Sequence, residues 1–160
     1  MSAVGIDLGA SAIHVVGLTA SPGPRLTITA AQTFAAADLD AVVALARDAS
    51  DIAIDAPAQL SVAPHRDDAS ISPKFRTARC GEIALGQVAG IWVPWVTPHD
   101  VAKVAGWMQV GFDLWQALRD DGHEPMEVYP AGVFRVLAGR VPPRKTTHAG
   151  VHARIDLRSP

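Results

Sequence analysis

The sequence predicts a mixed α/β fold built on a five-stranded sheet in the order 3-2-1-4-5, with flanking helices. Three observations predict it. Short apolar runs bounded by turn residues recur at Val4–Gly9, Ala12–Leu18, Leu26–Phe34, Asp51–Ala56 and Met126–Tyr129. The first three are joined by short links, as in an antiparallel meander. A helical repeat between the third and fourth runs implies a crossover that lays strand four parallel to a neighbour.

The elements follow in order. Val4, Ile6 and Leu8 flank Asp7 in the first run, and Gly9 permits a sharp turn. The run reads as a buried strand, in which a charge is costly unless paired, hydrogen-bonded or metal-bound. Ile13, Val15 and Val16 carry the second strand, and Ser21-Pro22-Gly23-Pro24 is a turn signal before the third. Asp38 is placed to N-cap a helix with Leu39, Val42, Val43 and Ala46 on one stripe. Residues 57–105 form a long, proline-punctuated insertion after strand four, with a short helix expected from Pro73 to Gly86. Such an excursion is uncommon unless it covers or builds a site. Trp92, Trp95 and Trp107 cluster around its end and read as lid or core packing.

Trp107, Val110, Leu114, Trp115 and Leu118 recur at helical spacing, and Gly122 ends that helix. After strand five, Pro130 opens a helix with Val133, Phe134 and Leu137 facing inward, closed by Gly139. Thr147 is placed to cap a last helix through Val151 and Ile155. The whole of residues 1–160 reads as a single domain.

Composition narrows the function classes. Apolar residues make up 49% and charged residues 19%, which fits a soluble globular protein. No apolar run approaches the ~20 residues needed to span a bilayer. The N-terminus has no basic segment, and Asp7 interrupts its apolar stretch, so no secretory signal is expected. The single cysteine, Cys80, excludes an intrachain disulfide and reads as a small buried apolar residue. A reducing cytoplasm is the expected compartment. Net charge is only −2, but residues 130–160 carry Arg135, Arg140, Arg144, Lys145, Arg154 and Arg158 against Asp156 alone. That asymmetry suits a phosphate-bearing partner, although on charge alone a solvated helix face is the better reading.

Three strands carry a carboxylate: Asp7, Asp55 and Glu127. With strands one, four and five adjacent, these acids converge at the carboxyl ends of parallel strands, where such sheets place ligands. Clustered carboxylates take up protons unless a cation holds them, and oxygen ligands select Mg²⁺ or Mn²⁺. Asp7, Asp55 and Glu127 are therefore the expected metal ligands, and two-metal phosphodiester cleavage is the expected chemistry. The insertion adds Arg76, Arg79 and Glu82. Arg79 could hold a phosphate and Glu82 could position water or metal; a surface Arg79–Glu82 ion pair is the alternative. Lys145 and Thr146, beside Thr147, are candidate anion-binding residues at a helix start. His148 and His152 stand four apart on the final helix, but with no third ligand identified they read as exposed rather than metal-binding.

Several segments together resemble a known family. They are Val4-Gly5-Ile6-Asp7-Leu8-Gly9, Ala53-Ile54-Asp55-Ala56-Pro57, Phe75-Arg76-Thr77-Ala78-Arg79-Cys80, Glu127-Val128-Tyr129-Pro130 and Lys145-Thr146-Thr147. In order and across essentially the whole chain, they resemble the predicted RNase H-like nucleases, a family catalogued as a domain of unknown function. The resemblance implies a ribonuclease H-like sheet and metal-dependent hydrolysis of nucleic acid, with Asp7, Asp55 and Glu127 or Glu82 as ligands. Family members run on into a further helix with an acidic residue, and this chain stops at Pro160. The expectation is a C-terminally shortened domain with an incomplete metal shell, one-metal binding and feeble cleavage. Two other readings stay open. Gly5–Gly9 also suits the first phosphate loop of an actin-like ATP-dependent phosphotransferase, although Ala56-Pro57 offers no second loop. A non-catalytic binding module of the same fold is the third.

Overall fold

A computed structural model describes residues 2–21 and 26–156. Pro22, Gly23 and Pro24 of the expected turn, and Arg158 of the basic segment, lie outside the described residues. The strands are β1 (Ser2–Leu8), β2 (Ala12–Ala20), β3 (Leu26–Ala35), β4 (Asp51–Asp55) and β5 (Met126–Glu127). They form one mixed sheet in the order β3-β2-β1-β4-β5, as the sequence predicts. β1–β2 and β2–β3 are antiparallel, whereas β4 is parallel to both β1 and β5. The helices are α1 (Leu39–Ala46), α2 (Cys80–Ala89), α3 (Gly106–Asp120), α4 (Pro130–Ala138) and α5 (His148–Asp156). No helix among the described residues is long and apolar enough to cross a membrane.

The core lies on one face of the sheet. Val4, Ile6 and Leu8 alternate into it from β1, as do Ile13 and Val15 from β2 and Ile52 and Ile54 from β4. Val42, Val43 and Ala46 of α1 and Leu114, Trp115 and Leu118 of α3 cover them. Asp7 has the other parity and is exposed. The expectation of a charge inside a buried strand is corrected here. β1 is apolar on one face only, so Asp7 carries little of the desolvation cost that burial would impose. Gly9 makes the turn into β2: its N–H donates to the Ala12 carbonyl at 2.9 Å.

Several local expectations need adjustment. Asp38 precedes α1, but its carboxylate accepts from the Ala35 N–H at 3.3 Å instead of capping the helix amides. The insertion's helix does not start at Pro73. Residues Pro73–Phe75 make one 3₁₀ turn, and α2 begins at Cys80, because Arg79 has extended backbone (φ −71°, ψ 155°). Cys80 is exposed rather than buried, since α2 turns Glu82, Ile83 and Gly86 inward instead. Ile71, Ala78 and Ile83 form a second, small core there, with Phe75 and Val96 against it. The tryptophan expectation also divides. Trp107 is half-buried against the main core, whereas Trp92 is 46% and Trp95 64% exposed.

The chain divides into two compact units, Met1–Val128 and Tyr129–Pro160. In the second, Pro130 opens α4 and Gly139, at φ +63°, closes it, as expected. Val133 and Leu137 are exposed rather than inward, and Gly132 is the residue that α4 buries. Thr147 caps α5 as predicted, its Oγ1 accepting from the Gly150 N–H at 3.1 Å.

Candidate active site

The site begins with strand register. Asp7 of β1 and Asp55 of β4 are partners in the parallel ladder, at the carboxyl end of each strand. Partners share a face, and adjacent strands lie about 4.8 Å apart, so the two carboxylates emerge side by side. Their face is the one opposite α1 and α3, since Ile6 and Ile54 are the partners that enter the core. Asp7 is exposed and Asp55 half-buried.

The end of β4 is held firmly. Trp115 Nε1 donates to the Ala56 carbonyl at 3.3 Å, one residue beyond Asp55. Gly111 lets α3 approach this point: a Cβ there would stand 3.1 Å from that of Ala56. The amide after Pro57 is also committed, because Ala58 N–H donates to Glu127 Oε2 at 3.2 Å.

Glu127 does not join the aspartates. It pairs with Ile54, whose side chain faces the core, so its parity is opposite to that of Asp55. Both its oxygens are gripped by Arg79, Nη1 to Oε2 at 2.7 Å and Nη2 to Oε1. This bidentate pair competes with any metal for the same lone pairs. Among the described residues, no three of His, Cys, Asp and Glu gather as a metal-holding group.

Glu82 lies inside the first unit, only 6% exposed, so the surface-ion-pair alternative is corrected too. It accepts from the Arg79 N–H at 3.1 Å and from the Thr97 N–H at 3.2 Å, and from the Thr97 hydroxyl. Arg79 Nε reaches Glu82 at 3.5 Å. Burial pulls the Arg79 pKa down, but hydrogen bonds and charge from Glu127, then Glu82, outweigh it and hold it above the usual value. Arg79 thus bridges two carboxylates. The expected roles change accordingly: its guanidinium is engaged by protein, and Glu82's oxygens face protein donors. Arg76 also braces the loop, its Nε donating to the Ile71 carbonyl at 3.0 Å. Lys145 and Thr146 are exposed in the second unit, in the turn before α5.

Two contributors escaped the sequence reading. Thr97 is almost fully buried and supplies two donors to Glu82. Nothing local marks it, since its partner is fifteen residues away. His14 is the register partner of Asp7 across β1–β2, and its Nδ1 lies 3.0 Å from Thr33 Oγ1. The tight turn at Gly9 was the available signal, because hairpin register follows from loop length.

The phosphate-loop alternative concerns the turns after β1 and β4. Gly9 N–H is bonded to Ala12 and Ala58 N–H to Glu127, so these two amides are engaged by protein. Compared with protein-family models, curated proteins and solved structures, the chain matches none.

Proposed function

We propose that the chain is a metal-dependent phosphodiesterase of nucleic acid, with an RNase H-like sheet. The observation that carries the reading is the in-register pairing of Asp7 and Asp55 on adjacent parallel strands. The strand order β3-β2-β1-β4-β5 is compatible with it. Two adjacent carboxylates fit one hard cation, and Asp7 and Asp55 would hold Mg²⁺ or Mn²⁺. When bound, such an ion activates water and stabilises charge on phosphate oxygens.

The chain's own residues have definable tasks. Trp115, through the Ala56 carbonyl, fixes the height of Asp55 on β4. Thr97 holds Glu82, Glu82 holds Arg79, and Arg79 holds Glu127, which in turn accepts from the Ala58 amide in the turn after Asp55. These are positioning residues. His14 stands beside Asp7 in the ladder, on the same face of the sheet.

The test pairs binding with turnover. Wild type and Asp7→Asn are titrated with Mn²⁺ and assayed on single-stranded DNA, RNA, duplexes and hybrids. The expected result is Mn²⁺-dependent cleavage by wild type, with both uptake and cleavage lost in Asp7→Asn. Cleavage that survives in Asp7→Asn overturns the assignment. Mn²⁺ uptake without cleavage of any substrate keeps the metal pair and removes the nuclease.

A further inference from the structure

The second unit carries an arrangement independent of the aspartate pair. His148 and His152 lie one turn apart on α5, and their Nε2 atoms face each other at 3.1 Å. Their ring centroids are 4.2 Å apart with a 47° interplanar angle. Both side chains are exposed. We propose that this pair is a bidentate site for an imidazole-preferring divalent ion, Zn²⁺, Cu²⁺ or Ni²⁺, completed by water.

The geometry decides it. Metal–imidazole bonds are about 2.0–2.1 Å long, and two such bonds to nitrogens 3.1 Å apart subtend about 100° at the ion. That angle lies between octahedral and tetrahedral values, so an ion can enter without moving either ring far. Histidines at this spacing on one helix face are a familiar zinc-binding pair. In the metal-free chain the two nitrogens are placed to share one proton in an N–H···N bond. On binding, that proton moves to Nδ1 of the same ring and each Nε2 gives its lone pair to the ion. A neutral pair therefore needs no net proton release.

The scaffold is prearranged. Thr147 Oγ1 accepts from Gly150 N–H and donates to the Arg144 carbonyl at 2.8 Å, fixing the first turn. Gly150 itself lies so close to Arg144 that a Cβ would fall 1.9 Å from its carbonyl oxygen. Arg154, the cation on the same helix, directs Nη1 to the Pro143 and Gly150 carbonyls at 2.9 and 2.7 Å. Its guanidinium lies over the Phe134 ring. The hard ions suited to Asp7 and Asp55 prefer oxygen and do not compete for this site.

The test is calorimetric titration of the full, tag-free chain with Zn²⁺, in the presence of excess Mg²⁺. One ion per chain is expected. His148→Gln and His152→Gln should each weaken binding ~100-fold, as a two-point attachment becomes one-point. His14→Gln should leave it unchanged. The double variant His152→Ala/Ala153→His keeps the histidine count but moves the second ring about 100° around the helix, and should not bind. Far-UV circular dichroism without metal confirms that each variant folds. Wild-type affinity in either single variant, or in the displaced double variant, overturns the proposal, as does absence of Zn²⁺ uptake by the wild type.

Discussion

Asp7 and Asp55 are register partners across the parallel β1–β4 pair, on the sheet face opposite α1 and α3. Like charges directly opposed in a sheet destabilise it, by roughly 0.2–1 kcal/mol. A cation held between them reverses the sign. Asp7→Asn should therefore unfold at a higher temperature than wild type in chelator and at a lower one in millimolar Mn²⁺. Thermal unfolding under both conditions checks this without any activity assay. The same stability ranking in both buffers would remove the cation site.

Arg79 offers a sharper energetic test. Its guanidinium holds Glu127, while its amide and Nε hold the buried Glu82. Removing the guanidinium leaves Glu82 with fewer donors inside the protein, a costly state. Arg79→Ala should destabilise by about 2–4 kcal/mol. Glu127 is more than one-third exposed, so solvent screens its side of the pair, and Glu127→Gln should cost only about 1 kcal/mol. Denaturant unfolding of the two single variants and the double variant gives the coupling. An additive result would show that the Arg79–Glu127 contact contributes nothing in solution.

Gly86 sits under the Trp92 ring. A Cβ at this position would fall 2.4–2.6 Å from three ring atoms. Alanine would gain about 1 kcal/mol of helix propensity but must displace the indole. Trp92 also contacts Phe75, with ring centroids 4.5 Å apart, so the displacement opens the small second core. Gly86→Ala should lose about 1–3 kcal/mol net and shift the tryptophan emission to longer wavelength. Unchanged emission with raised stability would mean that the ring does not rest on Gly86.

Asp68 reports on the loop before α2. Ser70 donates to its Oδ1 twice, from the hydroxyl at 2.6 Å and the amide at 2.9 Å. The Ser70 hydroxyl, then its amide, hold the Asp68 pKa below its ordinary 3.8. A carboxylate depressed on folding stabilises the protein above its unfolded pKa, and that contribution is lost as pH falls through the folded value. An NMR titration should place the wild-type midpoint below 3.8, and Ser70→Ala should move it upward. An unmoved midpoint would assign the depression to other groups.

The alternation of Val4, Ile6 and Leu8, the helical spacing of Leu114, Trp115 and Leu118, and the stops at Gly122 and Gly139 are local patterns. They set the elements of this chain and, with the rule for crossovers, the order of its sheet. The start of α2 was less legible, because the backbone at Arg79 follows from its contacts with Glu82 and Glu127. The facing of Val133 and Leu137 depends on what packs against α4, which periodicity does not contain.

By itself, the sequence determined that Asp7, Asp55 and Glu127 stand on strands, and that strands one, four and five are neighbours. Only the tertiary structure decided that the first two are partners while the third opposes Ile54. In a sheet, one residue of register moves a side chain to the other face. Register is fixed by pairing between segments distant in the chain. The same long-range pairing turned Arg79 toward Glu127, forty-eight residues away, and brought Thr97 to Glu82. The pair His148–His152 needed both levels: helical spacing put the rings on one face, and their rotamers brought the nitrogens within reach of one ion.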